Sequence, residues 1–109
     1  MKIYLASPYS HKDAHVREQR YESACKKTAE LIEDGDIVFS PIAHSHNIAK
    51  YIGNHNDSSF WVDQDLSFLT GWADEMWVLM LDGWEESKGI KMEMQASLSA
   101  GIIVKYVEA

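Results

Sequence analysis

What constrains this chain most is the spacing of its apolar runs. Ile3–Ala6, Ile37–Phe39, Met76–Leu81 and Ile102–Val107 are short, and each interval between them is long enough to hold a helix. Runs of that length, bounded by Pro, Gly or Asp, read as strands buried on both faces. Parallel strands need a crossover of this kind, and the crossover is right-handed. The expectation is one α/β domain over residues 1–109, a doubly wound (flavodoxin- or Rossmann-like) domain with a four-stranded parallel sheet flanked by helices.

The intervals carry helical patterns. From Asp13 to Asp34, Tyr21, Ala24, Cys25, Thr28, Leu31 and Ile32 make an apolar stripe, with Asp13 as a plausible N-cap and Gly35 as a stop. Ser40-Pro41 ends the second strand, and Ala43 to Ile52 can hold a short helix. Gly53-Asn54-His55-Asn56-Asp57-Ser58 is loop chemistry. A helix from Ser58 or Ser59 to about Trp72 places Val62, Leu66, Leu69 and Ala73 at core spacing, with Asp65 beside that stripe. The last helix opens at Ser87 and runs to Gly101.

In an open parallel sheet, ligands bind beyond the carboxyl ends of the strands. Tyr4, Ser7, Ser40, His44, Asp82, Ser87 and Glu93 all fall at or just after strand ends, so they are expected to converge on one rim. The helix starting near Ser87 offers unpaired N–H groups and a positive dipole end, both suited to a phosphate. Glu93 shares a helix face with Gly89, Ala96 and Ala100, small residues of the kind that pack closely on a sheet. A carboxylate in such company is costly unless paired or used; the bland alternative is a solvated Glu93. Asp63 or Asp65 with Glu93 can supply the two carboxyl roles of a glycosidic cleavage, though Asp63 reads better as a solvated residue.

The remaining signals are weaker. His44-x-His46 suits zinc only if further ligands arrive from elsewhere, so no metal is assigned and the pair reads as polar loop residues, one of them able to line the pocket. Trp77 reads as core, and Trp84 as either a base-stacking residue or an interface residue. A net charge of −7 argues against binding nucleic-acid polymers. Cys25 is alone, which leaves no disulfide framework. The apolar run after Met1-Lys2 is too short for a signal peptide or membrane span, so a cytoplasmic protein without membrane contact is expected. There is neither a dinucleotide fingerprint nor a Walker pattern, and no cofactor is expected.

Several pieces, in order, resemble one family over almost the whole length. These are Ile3-Tyr4-Leu5-Ala6-Ser7-Pro8-Tyr9, Val38-Phe39-Ser40-Pro41, Asp65-Leu66 with Ala73-Asp74, and Ser87-x-Gly89-x-x-x-Glu93 followed by Ala96 and Gly101. The chain resembles the nucleoside 2-deoxyribosyltransferase superfamily, including the deoxynucleoside 5'-monophosphate N-glycosidases, and looks closest to a small phage or bacterial branch. The resemblance implies that Glu93 is the catalytic glutamate, that Tyr4 positions it, and that Asp65 orients or protonates the departing base. Asp74 matches an acidic scaffold residue.

Ser87 stands where the transferases carry an aspartate and the monophosphate glycosidases a serine. A carboxylate there would repel a 5'-phosphate, whereas a serine on a helix tip would bind it. Ser7, Pro8, Tyr9, Ser40, His44, Asp82 and Gly89 are the expected further substrate contacts. One departure stands out: Ser7-Pro8-Tyr9 replaces a glycine- and arginine-containing turn, so the first loop is short of a phosphate partner. Ala109 ends the chain without the extension that lends a residue to a neighbouring subunit's site in some relatives. A homodimer or higher homo-oligomer is still expected.

The expected function is hydrolysis of the N-glycosidic bond of a (deoxy)ribonucleoside 5'-monophosphate. Deoxyribosyl transfer between bases and a non-catalytic nucleotide sensor are the alternatives, with a metal-dependent hydrolase using His44 and His46 as a third.

Overall fold

The computed structural model describes residues 1–53 and 58–109, so the expected loop at Asn54–Asp57, His55 included, lies outside the described residues. Chain order is β1 (Lys2–Ala6), α1 (Ala14–Glu33), β2 (Ile37–Phe39), α2 (Pro41–Ile48), α3 (Ser58–Trp72), β3 (Glu75–Leu79), α4 (Lys88–Ala100) and β4 (Ile103–Val107). Short 3-10 turns at Ala49–Tyr51 and Trp84–Glu86 follow α2 and precede α4. All four strands are parallel, in the order β2-β1-β3-β4, as the doubly wound reading expects. The chain winds one way from β1 to β2 and the other way to β3 and β4. The loops leaving β1 and β3 therefore diverge, and a crevice opens beyond Ala6 and Leu79.

Alternation along the strands divides the core. Tyr4, Ala6, Met76 and Val78 point to one face, where Leu69 of α3 and Ile90 of α4 cover them. Leu5 and Leu79 point to the other and meet Leu31 of α1. Asp74 ties the amino end of β1, its carboxylate accepting from Lys2 N at 2.8 Å.

Several expected boundaries and faces move. The third strand spans Glu75–Leu79 rather than Met76–Leu81: Met80 N still reaches Val107 O, but Leu81 N turns back to Leu79 O. The short helix starts at Pro41, not Ala43, because Ser40 caps it and proline needs no N–H at a helix start. In α1, Ile32 is left 53% exposed, so the apolar stripe is narrower than its spacing suggests. On α4 the buried face is Ile90, Glu93 and Ser97, while Ala100 is exposed. Small size at Ala100 thus reported nothing about packing, but Glu93 lies on the covered side.

Candidate active site

Three elements bring three ionisable side chains together. Tyr4 stands in the middle of the sheet on β1 and is completely buried. Glu93 comes down from α4 onto it, and the Tyr4 hydroxyl donates to Glu93 Oε2. Asp65 comes from α3, which packs along α4. Burial pushes the Glu93 carboxyl from 4.5 up to about 8; the Tyr4 hydrogen bond opposes that rise and the nearby Asp65 adds to it. Asp65 is raised from 3.8 to about 7 by burial, and its Oδ1 is buried without a hydrogen-bond partner. The Tyr4 phenol is driven far above its ordinary range, first by burial and then by the two carboxyls, so it remains a proton donor. Two carboxyls in this relation take up charge one at a time near neutrality.

The second feature is the tip of α4. Ser87 caps it, its Oγ accepting from Ile90 N at 3.2 Å. Lys91 N is satisfied by Ser87 O, but the Lys88 and Gly89 N–H groups lie too early in the helix to find an intrahelical carbonyl. The Ser87 hydroxyl proton remains available to a ligand as well. Arg20 of α1 reaches across to the Asp82-Gly83 loop that leads toward this tip, and lines the same cavity. Its guanidinium is pinned by Ser10 O at 3.1 Å and Asp82 O at 3.0 Å. Gly83 makes room for it: a Cβ there would stand 2.6 Å from Arg20 Nη2, and the φ of +89° already favours glycine. Arg20 lies outside the apolar stripe read for α1, and no neighbour in sequence singles it out. Its signal was hidden because the partner loop is 62 residues away.

These features share one cavity of about 690 Å³, whose wall includes Ser7, Tyr9, Ser10, Arg20, Asp65, Gly83, Glu86, Ser87, Lys88, Gly89 and Glu93. Its remaining wall is His11 and Met92, Pro41, Ile42, Ser45, His46 and Ala49, with Trp61, Val62 and Leu66. Of the expected site residues, Glu93, Asp65, Ser7, Tyr9, Ser87 and Gly89 line it, and Tyr4 supports Glu93 from behind. Ser7 Oγ is buried without a partner.

Four expected contacts are not on this wall. Pro8 is buried in the fold. Ser40 is committed to capping α2, where its Oγ accepts from Ala43 N at 3.1 Å. Asp82 is exposed and offers Arg20 its backbone carbonyl. His44 is exposed, with its ring against Phe39.

His46, one helical half-turn from His44, faces the opposite way into the cavity, because two residues along a helix rotate the side chain by roughly 200°. That geometry separates the two imidazoles, and among the described residues no three His, Cys, Asp or Glu side chains gather as a metal site. Trp84 packs against the core and Tyr106 rather than into the cavity; Trp61 is the tryptophan on its wall. Trp77 is half-buried and donates Nε1–H to Glu75 at 2.9 Å. Among the described residues, no helix is long and apolar enough to cross a membrane.

A family model described as a domain of unknown function (DUF1937) matches residues 1–109. No curated protein matches the chain. Among solved structures, a 2-deoxyribosyltransferase from the psychrotolerant bacterium Bacillus psychrosaccharolyticus superposes with a TM-score of 0.70. That match is 26% identical and covers 99% of this chain and 72% of the other.

Proposed function

The chain belongs to the DUF1937 family, within the nucleoside 2-deoxyribosyltransferase-like superfamily, and on that footing we propose that it hydrolyses the N-glycosidic bond of a nucleoside 5'-monophosphate. The observation that carries this reading is the sharing of one cavity by a buried carboxyl, Glu93, and an anion-ready helix tip backed by Arg20. The Ser87 hydroxyl, the Lys88 and Gly89 N–H groups and the Arg20 guanidinium hold the phosphate. The sugar then lies between that tip and Glu93, and the base lies toward the α2–α3 wall.

The ligand decides where the single proton of the carboxyl pair rests. A base nitrogen accepts from Asp65 and keeps it protonated, while positive charge building at the anomeric carbon favours ionised Glu93. Glu93 Oε attacks that carbon as the C–N bond breaks. The bond's electron pair leaves with the base, which takes the Asp65 proton. Water then adds to the glycosyl ester, giving its proton to the Asp65 carboxylate and releasing a sugar 5-phosphate and free Glu93. Tyr4 holds the nucleophilic carboxyl by its hydrogen bond throughout.

A second reading, transfer of the sugar to another base, is favoured by the 2-deoxyribosyltransferase named above. In that reading an incoming base replaces water in the second step. Incubation with matched nucleosides and 5'-nucleotides, with and without a second free base, separates the two by chromatography. The proposal expects free base from the nucleotide and little from the nucleoside. Unchanged base release in Glu93→Gln would overturn it, and base exchange outrunning hydrolysis would select the second reading.

A further inference from the structure

The reaction above leaves unused a second hydrogen-bonded chain in the cavity wall. His46 on α2 lies between Glu18 of α1 and Tyr9 of the β1–α1 loop. Its Nε2 is 2.7 Å from Glu18 Oε2 and its Nδ1 is 2.7 Å from the Tyr9 hydroxyl. Tyr21 stacks on the imidazole with ring centroids 4.0 Å apart, and Asn47 donates to the Tyr21 hydroxyl at 3.2 Å. Tyr9 meets the same imidazole edge-on at 5.6 Å. The ring is held at both nitrogens and over one face.

The far end of this chain dictates the order of its protons. A carboxylate only accepts, so His46 Nε2 carries the proton shared with Glu18. In the neutral ring Nδ1 is then an acceptor, and the Tyr9 hydroxyl must donate to it. Tyr9 thereby commits its one proton to His46 and meets every other group with lone pairs. With that proton committed, the Tyr9 oxygen has only lone pairs to offer a ligand.

Its surroundings identify the part of the ligand it meets. Tyr9 and His46 share the cavity wall with Pro41, Ile42, Ala49, Trp61 and Val62. Apolar and aromatic walls suit a flat ring. The groups suited to an anion, at the tip of α4 and on Arg20, are donors, whereas Tyr9 offers only lone pairs.

We infer that Tyr9, positioned by His46 and Glu18, accepts a hydrogen bond from the exocyclic amino group of the ligand's base and so selects amino-bearing bases over their oxo counterparts. This rests on the nucleotide reading of the cavity. An oxo group at that place sets two acceptors against each other, and a site built to take a donor rejects a ligand that lacks one.

The test is calorimetric binding to full-length protein carrying Glu93→Gln, so that ligand is not consumed. Two pairs of deoxynucleoside monophosphates are compared, those of adenine with hypoxanthine and of cytosine with uracil; the members of each pair differ in one amino or oxo group and in the adjacent ring nitrogen, an acceptor in the amino form and an N–H in the oxo form. In at least one pair the amino form should bind about tenfold tighter. Adding Tyr9→Phe should bring that ratio to within about twofold. Glu18→Gln, at a residue whose side chain is 52% exposed, frees the imidazole tautomer and lets Tyr9 donate. It should raise affinity for the oxo member and shrink the ratio, whereas loss of a merely structural contact would weaken both members alike. Equal affinities within both pairs, or a preference that survives Tyr9→Phe, overturn the inference while leaving the nucleotide reading in place. Failure of all four ligands to bind overturns both.

Discussion

Two glutamates in this molecule are covered to the same degree, yet one is fully paired within the fold and the other is left short of partners. Glu75 and Glu93 are each 8% exposed. Glu75 opens β3 at the amino end of the sheet, where it accepts from Trp77 Nε1 at 2.9 Å and pairs with Lys105 Nζ at 3.1 Å. Those two donors hold its carboxyl below the usual range. Glu93 lies on the opposite face, toward the carboxyl ends of the strands. It has one neutral donor, Tyr4, and a second carboxyl for a neighbour, and burial takes it up to about 8. Burial alone does not decide between a structural and a reactive carboxyl; the partners do. A carboxylate already met by a cation and an indole N–H gains little from another positive charge. One left short of donors is stabilised by any cation that develops beside it, as at an anomeric carbon.

The sharpest way to break this contrast is to neutralise each glutamate in turn. Glu93→Gln should reduce the rate of base release by about 1000-fold or more, with the melting temperature unchanged or raised, because a strained buried acid is removed. Glu75→Gln should do the reverse: a lower melting temperature, with kcat/KM within about twofold of the parent. Thermal unfolding and chromatographic rates on both variants settle it. Comparable activity losses at the two positions would mean that their partners make no difference.

A smaller effect is expected from Asp65→Asn, read in the pH profile. In the parent, kcat/KM should be bell-shaped, with its limbs set by a pair that titrates between about 7 and about 8. Asparagine cannot lose a proton, so the alkaline limb should vanish. It also removes the neighbouring negative charge that helps raise Glu93, so the single limb that remains should lie below about 8. The rate itself should fall by about 10- to 100-fold, the contribution of a positioned acid. A remaining limb that stays at about 8 would mean that the two carboxyls do not sense each other.

How much of this was legible in the sequence follows from how local each signal is. The strands and the parallel sheet were, because four apolar runs at crossover spacing leave few other arrangements. The α4 tip was, because Ser87 as a cap and Glu93 two turns on lie within one helix. Arg20 was not: its role depends on two carbonyls, Ser10 O and Asp82 O, and on a Gly83 that leaves it room, contacts that only the folded chain brings together. His46 was grouped with His44 by spacing, yet on a helix that spacing sends the two rings in opposite directions. Ser40 shows the converse limit. Its place after a strand suggested a ligand contact, but a Ser-Pro pair before a helix is also a cap, and here the cap wins.

The smallest effect separates the two glutamates without any ligand. Raised carboxyls bind more protons in the folded chain than in the unfolded one. Glu93, moved from 4.5 to about 8, and Asp65, moved from 3.8 to about 7, therefore favour the folded state most at low pH and withdraw that support as pH rises through this window. Glu75, lowered from 4.5, acts in the other sense: its contribution is present above that value and is lost as pH falls. The melting temperature of the ligand-free protein should decline by several degrees between about pH 5 and about pH 8.5. Glu93→Gln should remove much of that decline by deleting the more strongly raised acid. Glu75→Gln should leave the decline intact and flatten the acid side instead. Parallel curves for the parent and Glu93→Gln would show that the carboxyl at position 93 meets water after all, and the distinction between the two glutamates would be lost.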